Sequence, residues 1–570
     1  MADRLRPSTA RIIFFLATLV FISHYLRMYS FGLYEDDYWF ISHNFTKPVS
    51  RLPQLFLEYF RGWPQGRPLN HFLPVAFSAL GYKLGGLAAL YALAAIWLTL
   101  NSWLVYAIVR RLLSGPSALI AATVYVLFPA DTTKVLLTHA SIVQASMTFL
   151  LLGLLFWLKG GRWRWASYPV AGLSLLTYET AFLPFLAAPL FWIGNRTASR
   201  IWLLHLTLCG VMVAGVAYAR LHTGDARAVG AISDLSQTAR MLVTSLYLGP
   251  ITSLKMMGKG AWIGIREIST AGVASLIVLL ACFSFAFRTP SDSPAQTRQL
   301  TPRIQPGWSD LDRSTEAGEL PWWWVLISAL VMWSGSYALT LINYPPTQEF
   351  GRLTSTHVAA GWGLALATAA LFDGVRYHLP RLLGWFRAAV IVWTGALLLY
   401  QDFIQREYVR AWHIQQDFWS QIHILAPEAA PGWTIIVTGD TATQSPIIYS
   451  NSWADFYVAN QLFDPDPETD TLAFAHLGMA RKAVEFRRNG AGWQWKPQFW
   501  GGSFELIDAR HLILFNSDFG RLRRVQSIET PVGILETSAL DCVHCEAMLT
   551  TPLSRLMFRK PPGYTNGHDD

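Results

Sequence analysis

Charged residues are scarce in this 570-residue sequence. Asp, Glu, Lys and Arg together make up 14% of it, and 52% of the residues are hydrophobic. Soluble domains carry roughly 25% charged residues. This scarcity excludes a globular enzyme held by a single anchor and indicates a polytopic membrane protein with a soluble remainder. The net charge of +8 is explained by a positive-inside bias of the loops, and we expect no nucleic-acid partner.

Cysteine is also rare, with four residues in the whole chain. Cys209 and Cys282 lie in apolar runs and are expected to be inert core residues. Cys542 and Cys545 have the spacing of half a zinc site, but the sequence lacks a second pair. A local disulfide in an oxidising compartment is equally open. The sequence also lacks a small-residue cleavage site after its first apolar run, residues 11–31, so we expect a retained first helix.

Apolar windows long enough to span roughly 30 Å of hydrocarbon recur along the first four hundred residues. They predict an α-helical polytopic membrane protein with about eleven transmembrane helices. The predicted centres of these helices lie near Leu19, Ile96, Val124, Leu150, Leu173, Leu186, Met212, Val278, Ala329, Ala365 and Leu397.

The distribution of Lys and Arg predicts the orientation of these helices. With the N-terminus in the cytoplasm, the strongly basic loops all fall on the cytoplasmic side, as the positive-inside rule requires. We therefore expect a multi-pass protein of the bacterial inner (plasma) membrane with an extracytoplasmic C-terminal domain. The charged and polar candidates for function then lie together on the extracytoplasmic face: Glu35, Asp36, Asp37, Asp131, Lys134, Tyr178, Glu179 and Arg352.

The predicted organisation is a transmembrane domain over residues 1–402 and a small α/β domain over residues 403–570. A first extracytoplasmic loop, residues 32–83, carries an acidic motif and an amphipathic piece that suits the membrane interface. A second outer loop is predicted over residues 221–266. In the C-terminal domain, short apolar runs bounded by turn residues predict strands, among them 433–437, 446–449, 511–515 and 533–535.

Three consecutive carboxylates, Glu35, Asp36 and Asp37, follow the first apolar run directly. Such a cluster beside a membrane is costly unless it has a function. It is either a solvated loop, a metal ligand set, or a general base, because a water-poor interface can raise the pKa of a carboxylate towards the working range of a base.

Other candidates lie in the first loop or at predicted outer helix ends. Arg67 is either a snorkelling residue or a group that orients the acidic motif or meets a phosphate. Glu179, after Tyr178, is a lone carboxylate in an apolar context. Arg352 suits a phosphate, because its guanidinium offers paired donors at a helix N-terminus, although it can also be an ordinary helix-end anchor. Lys134 is a weaker candidate that could serve only in an ion pair.

Taken together, these motifs resemble the GT-C class of integral-membrane glycosyltransferases, in particular the protein O-mannosyltransferase group that includes transmembrane enzymes with tetratricopeptide repeats. That group has an Asp-Asp or Asp-Glu pair after the first span (here 36–37) and Arg-Pro-Leu before the second (67–69). A Phe-Pro turn follows the third span (128–131), a Leu-rich Lys-Glu pair comes next (175–179), and a late Arg opens an apolar helix (Arg352).

This sequence departs from the group at two points. Tyr178 stands where the group has Lys, which removes one expected charge. The C-terminal domain shows no helical repeat period, so it does not resemble tetratricopeptide repeats.

The resemblance implies an inverting hexosyl- or pentosyltransferase that uses a polyprenyl-phosphate sugar to build cell-envelope glycan. Asp36 would deprotonate an acceptor hydroxyl of a glycan, lipid or protein, with Asp37 as alternate or helper. Arg352 would hold the departing lipid phosphate, and Arg67 and Glu179 would position donor or acceptor. No essential metal or other cofactor is expected, although a carboxylate trio could bind a divalent ion.

A transporter or flippase of lipid-linked sugars is the alternative function. Such proteins often show internal repeats and carry charges near the bilayer midplane. This sequence shows no convincing repeat, and its candidate charges lie at the outer face, so the transferase is favoured. Membrane lipid is a partner in either case.

Overall fold

The structure is a computed structural model, and the residues it describes form two compact units. The first unit comprises Met1–Met28, Val49–Phe77 and Leu84–Arg406, and the second comprises Tyr29–Pro48, Ser78–Lys83 and Glu407–Asp570. The described residues are 9–191, 198–223, 234–287, 320–338, 350–439, 454–463, 472–477, 485–490, 492–496, 504–518, 520–530, 532–538 and 552–558. Cys542, Cys545 and the predicted strand 446–449 lie outside the described residues.

Helices make up most of the described chain before residue 426. In chain order they are α1 (Thr9–Val20), α2 (Asp37–Phe40), α3 (Leu52–Gly62), α4 (Pro68–Leu112), α5 (Gly115–Val126), α6 (Leu137–His139), α7 (Ala145–Lys159), α8 (Arg162–Thr177), α9 (Glu179–Phe182), α10 (Ala198–His222), α11 (Leu235–Arg266), α12 (Thr270–Phe287), α13 (Trp322–Gly335), α14 (Ala360–His378) and α15 (Leu383–Leu425). π-turns at Phe21–Tyr25 and Ala140–Gln144 and 3₁₀ turns at Leu183–Phe191 and Arg352–His357 extend or connect them.

Within the described residues, five helices are long and apolar enough to cross a membrane, or six if the bent pair α11–α12 forms one span. The structure is therefore that of a largely helical, membrane-type protein. Each of the predicted span centres lies on a helix or helical turn. The predicted number of about eleven spans is not confirmed, because several of these helices are short, among them α5 and α13.

The predicted second outer loop over residues 221–266 is wrong over most of its length. Residues Leu235–Arg266 form one long helix, α11. Gly249, Pro250 and two lysines interrupt the apolar run and hid the helix from a hydropathy reading. Small residues explain how the helix packs, because Gly264 of α11 lies directly against the backbone of α15 at Ala396, where a Cβ would not fit.

The amphipathic piece in the predicted first outer loop is confirmed as a helix, α3, whose Phe56 and Leu57 are exposed. The long helix that follows, α4, begins at Pro68, a residue whose fixed φ suits the first helical turn. Helical structure therefore begins well before residue 83, and it is interrupted at Gly85 and Gly86, whose backbone angles are not helical.

The second unit contains the strands. They are β1 (Thr434–Gly439), β2 (Ala473–His476), β3 (Glu485–Asn489), β4 (Gly492–Lys496), β5 (Glu505–Ile507), β6 (Leu512–Asp518), β7 (Arg521–Val525), β8 (Ser527–Thr530) and β9 (Gly533–Glu536), with helices α16 (Ala454–Phe463) and α17 (Pro552–Met557). One sheet has the order β2-β1-β6-β7, with β1 parallel to both neighbours and β7 antiparallel to β6. The described strands β1, β6 and β9 confirm three of the predicted strands.

A compact apolar core holds the strands of this region together. The inward side chains of the parallel strands, including Ile436 and Leu514, pack with Trp495 of β4 and Leu535 of β9. β1 is almost wholly buried, as expected for a central parallel strand covered on both faces. The α/β character predicted for the C-terminal domain is thus present, whereas its position relative to a membrane stays a prediction.

Candidate functional site

The acidic motif forms a tight turn in the second unit, joined to the one-turn helix α2. The Asp37 backbone N–H donates to the Tyr34 carbonyl at 3.0 Å, and the Tyr34 N–H donates to the Asp37 carboxylate at 3.3 Å. Glu35 has a φ of 48°, in the left-handed region that a residue with a side chain rarely adopts. A non-glycine residue in that region costs about 1–3 kcal/mol, so the surrounding contacts must hold the turn.

The three carboxylates differ in accessibility. Asp37 is fully buried and Glu35 is 3% exposed, whereas Asp36 retains 9%. Asp36 also precedes the first residue of α2, a position at which a carboxylate is favoured by the helix dipole. Asp37 serves the turn through its bond to the Tyr34 backbone, which leaves Asp36 as the more accessible of the two aspartates.

The C-terminal half of α15 holds the start of this turn. The Tyr34 hydroxyl donates to the Tyr408 carbonyl at 2.9 Å, and the Tyr38 hydroxyl donates to the Gln415 side chain at 2.5 Å. Gly32 lies flat against the indole of Trp412, where any Cβ would overlap the ring. The acidic turn is therefore built into the same compact unit as the C-terminal sheet.

A fourth carboxylate, Asp455 of α16, lies near the acidic turn and is 1% exposed. Burial raises the pKa of Asp455 well above its ordinary value, and the charge of Glu35 raises it further. The folded protein therefore favours the protonated form of Asp455 more than the unfolded chain does.

Two arginines and a glutamate form a cluster in the first unit. Glu179, the first residue of α9, makes ion pairs with Arg67 at 3.4 Å and with Arg220 of α10 at 3.0 Å. Arg220 Nε also donates to the Gln65 carbonyl at 3.0 Å, and its side chain packs on Gly66, where a Cβ would not fit. We call Arg67, Glu179 and Arg220 the arginine–glutamate cluster. It carries a net charge of +1.

Local backbone geometry sets up this cluster. Arg67 precedes Pro68 at the start of α4, and its guanidinium lies 5.8 Å from the ring of Tyr178. Tyr178 is extended and interrupts the helix between α8 and α9. Burial acts to raise the pKa of Glu179, but the charges of Arg67 and Arg220 outweigh it and lower the pKa below its ordinary value. The Glu179 carboxylate is therefore ionised at neutral pH.

A second polar junction of the first unit joins the turn after α5 to the segment before α14. Gly351 N–H donates to the Thr132 hydroxyl at 2.8 Å, and the Thr132 and Thr354 hydroxyls lie 3.0 Å apart. Arg352, next to Gly351, is the first residue of a short 3₁₀ helix. Its guanidinium interacts electrostatically with His139. The predicted helix over Ala365 itself begins only at Ala360.

Lys134 belongs to the same turn but is not directly ion-paired with Asp131 in the described contacts. Its ammonium donates to the carbonyls of Val126 at 2.9 Å and Phe128 at 3.3 Å. Asp131 instead accepts from the Thr133 N–H and hydroxyl. Burial lowers the pKa of Lys134 to about 8, although Asp131 counteracts the shift. This lysine is buried, and its hydrogen bonds to backbone carbonyls stabilise the turn after α5.

The structure thus brings Arg67, Tyr178 and Glu179 together, and it adds two residues that the sequence reasoning missed. Arg220 had a usable signal, because it stands at the predicted outer end of an apolar helix, where positive charge is disfavoured. Asp455 had no local signal, since only the fold brings it near Glu35. Among the described residues no group of three or more His, Cys, Asp and Glu is arranged to hold a metal ion.

Residues 70–219 match the family model described as dolichyl-phosphate-mannose-protein mannosyltransferase. The match contains Lys134, Tyr178 and Glu179, and it begins three residues after Arg67. Asp36 and Arg352 lie outside it. No individually curated protein matches the chain. The match confirms the resemblance predicted from the sequence: this is a membrane protein similar to O-mannosyltransferases of the GT-C type.

Proposed function

We propose that the protein transfers a sugar from a polyprenyl-phosphate donor to an acceptor hydroxyl, with inversion at the anomeric carbon and Asp36 as general base. The observation that carries the assignment of the base is the difference between the two aspartates. Asp37 is fully buried and bonded within its own turn, whereas Asp36 is the more accessible. The family match supports the class of donor.

The chemistry needs one base and one group that stabilises the leaving phosphate. The Asp36 carboxylate takes the proton of the acceptor hydroxyl as the oxygen attacks the anomeric carbon. The bond from that carbon to the phosphate oxygen breaks, and polyprenyl phosphate departs with the electron pair. Arg352 stabilises the charge that develops on the phosphate, and the arginine–glutamate cluster positions donor or acceptor.

The donor sugar and the setting belong to the same proposal. The name of the matched family makes mannose the first sugar to test, and a glycan, lipid or protein hydroxyl is the acceptor. The reaction takes place on the extracytoplasmic face of a bacterial inner membrane. No divalent metal is required, because polyprenyl phosphate is already a modest base and leaves without one. Activity that survives EDTA would agree with this last point.

The test compares wild-type protein with Asp36→Asn and Asp37→Asn in detergent, with polyprenyl-phosphate [¹⁴C]mannose and a panel of glycan, lipid and peptide acceptors. Loss of a general base lowers kcat on the order of a hundred- to ten-thousandfold. We expect that loss for Asp36→Asn, with unchanged binding of the donor lipid, since Asn has the same shape as Asp.

Asp37→Asn serves as the matched comparison, because it changes the side chain that accepts from the Tyr34 N–H in the same turn. It should lower the thermal stability more than Asp36→Asn does. Full turnover by purified Asp36→Asn protein would refute the assignment of the base. Transbilayer movement of the donor lipid in proteoliposomes, with no transfer to any acceptor, would instead favour the transporter.

A further inference from the structure

Helix α16 of the C-terminal region contacts α2 and Ser42, which follows α2, through the side-chain amide of Gln461. The Gln461 side-chain oxygen accepts from the Ser42 hydroxyl at 2.6 Å, and its nitrogen donates to the Tyr38 carbonyl at 2.8 Å. The Ser42 hydroxyl is also 2.8 Å from the same Tyr38 carbonyl. Gln461 is buried, so water cannot replace these bonds without a rearrangement.

Two further residues of α16 face the same segment. The rings of Tyr457 and Trp39 are stacked, with centroids 5.6 Å apart and planes 13° from parallel. Asp455, near the start of α16, is buried near Glu35 and Tyr38. Helix α16 thus approaches the acidic turn and α2 through three side chains: the amide of Gln461, the ring of Tyr457 and the carboxyl of Asp455.

Helix α2 needs such support. It has only four residues, Asp37–Phe40, and an isolated helix of that length is not stable in water. The left-handed Glu35 immediately before it is unfavourable by itself. The conformation of Asp36, between these two elements, therefore depends on contacts from outside the turn.

We propose that Gln461 and Asp455 are positioning residues for the proposed base Asp36, and that the C-terminal region is therefore an integral part of the transferase. Gln461 fixes α2 through the Tyr38 carbonyl, and Asp455, buried near Glu35, acts from the same helix. This inference rests on the proposed function, because it gives Asp36 its role.

Two pairs of substitutions separate positioning from simple support of the fold. Gln461→Leu removes both hydrogen bonds, whereas Asn460→Ala on the same helix removes bonds to the Leu472 backbone. Asp455→Asn keeps the shape of a neutral carboxyl, whereas Asp455→Ala removes it. Each purified protein is assayed with polyprenyl-phosphate mannose, and kcat is normalised to the number of donor-binding sites.

We expect Gln461→Leu and Asp455→Ala to lower normalised kcat on the order of ten- to a hundredfold, because a displacement of the base by about 1 Å has an effect of that size. The KM for the donor should change little. Asp455→Asn should restore turnover to within a few-fold of wild type, and Asn460→Ala should lower the melting temperature without lowering normalised kcat.

If Gln461→Leu protein does not fold, Gln461→Glu, which is closer in shape, keeps the acceptor for Ser42 and removes the donor to the Tyr38 carbonyl, and Asp455→Ala tests the carboxyl. Wild-type normalised kcat in these variants, with Asp36→Asn inactive, would overturn this inference and leave the proposed function standing. Equal losses for Gln461→Leu and Asn460→Ala would also overturn it. Full activity of Asp36→Asn would instead remove the proposed function itself.

Discussion

The arginine–glutamate cluster predicts the relative stabilities of variants at Glu179 and Arg220, and this order can be tested. It contains two cations and one anion, with side chains that are 6% (Arg67), 16% (Arg220) and 18% (Glu179) exposed. Replacement of Glu179 by Gln removes the carboxylate charge with which both guanidinium groups pair. Replacement of Arg220 by Met leaves one matched pair. Loss of the carboxylate charge should therefore be the more damaging change.

The magnitudes follow from the burial. Removal of one partner from a fully buried ion pair costs about 3–5 kcal/mol, and the residual exposure of Glu179 puts Glu179→Gln near the lower end. Arg220→Met removes the bonds to Glu179 and to the Gln65 carbonyl. It also relieves repulsion from Arg67, so about 1–2 kcal/mol is expected. The double variant should be no less stable than Glu179→Gln alone, because it carries one positive charge fewer.

The assay is thermal unfolding of the four proteins in one detergent at pH 7, followed by tryptophan fluorescence. The order of melting temperatures is compared, since a large membrane protein need not unfold in two states. We expect wild type to be highest, then Arg220→Met, with Glu179→Gln and the double variant lowest. Losses that simply add in the double variant, or Arg220→Met at least as unstable as Glu179→Gln, would refute a shared carboxylate.

Three further outcomes are expected. Arg352→Ala should weaken binding of polyprenyl-phosphate mannose, measured directly with labelled lipid, and unchanged affinity would remove Arg352 from the phosphate. Burial lowers the pKa of Lys134 to about 8, so above that pH the unfolded chain binds more protons than the folded protein, and stability should rise between about pH 8 and 10.5. The Lys134→Met variant should lack this rise. A constant difference in melting temperature between wild type and Lys134→Met across that range would contradict the prediction. Burial, with the Glu35 charge, raises the pKa of Asp455. The contribution of Asp455 to stability is therefore present at acid pH and is lost as the pH rises through the raised pKa. Asp455→Asn should melt at a higher temperature than wild type at neutral pH, and this difference in melting temperature should disappear towards pH 4.

Much of the fold was predictable because apolar runs are local signals. Helices such as α7 and α10 occupy continuous apolar sequence, and the strands β1 and β6 occupy short runs bounded by turns. The signal fails where a helix carries polar and small residues for packing. Helix α11 is the example, since its Gly249-Pro250 step and its lysines resemble a loop in a hydropathy profile.

The candidate site was predictable only in part, for a different reason. Arg67 and Glu179 could each be predicted as candidates on the same face, and the structure shows that they form an ion pair. The second arginine of that carboxylate could not be chosen, since nothing local in the sequence says which helix ends meet. Asp455 shows the same limit more strongly, because its environment is created by a chain segment from the opposite end of the sequence.

The acidic motif shows how the two kinds of information combine. Its residue types indicate chemistry beside a membrane, but three neighbouring carboxylates are equivalent in sequence. The fold distinguishes them by what each must do locally: Asp37 closes the turn, and Glu35 occupies the left-handed bend beside a buried acid. Asp36 keeps the largest exposed fraction of the three, 9%. The assignment of the base to Asp36 therefore depends on the structural demands on its neighbours as much as on its own exposure.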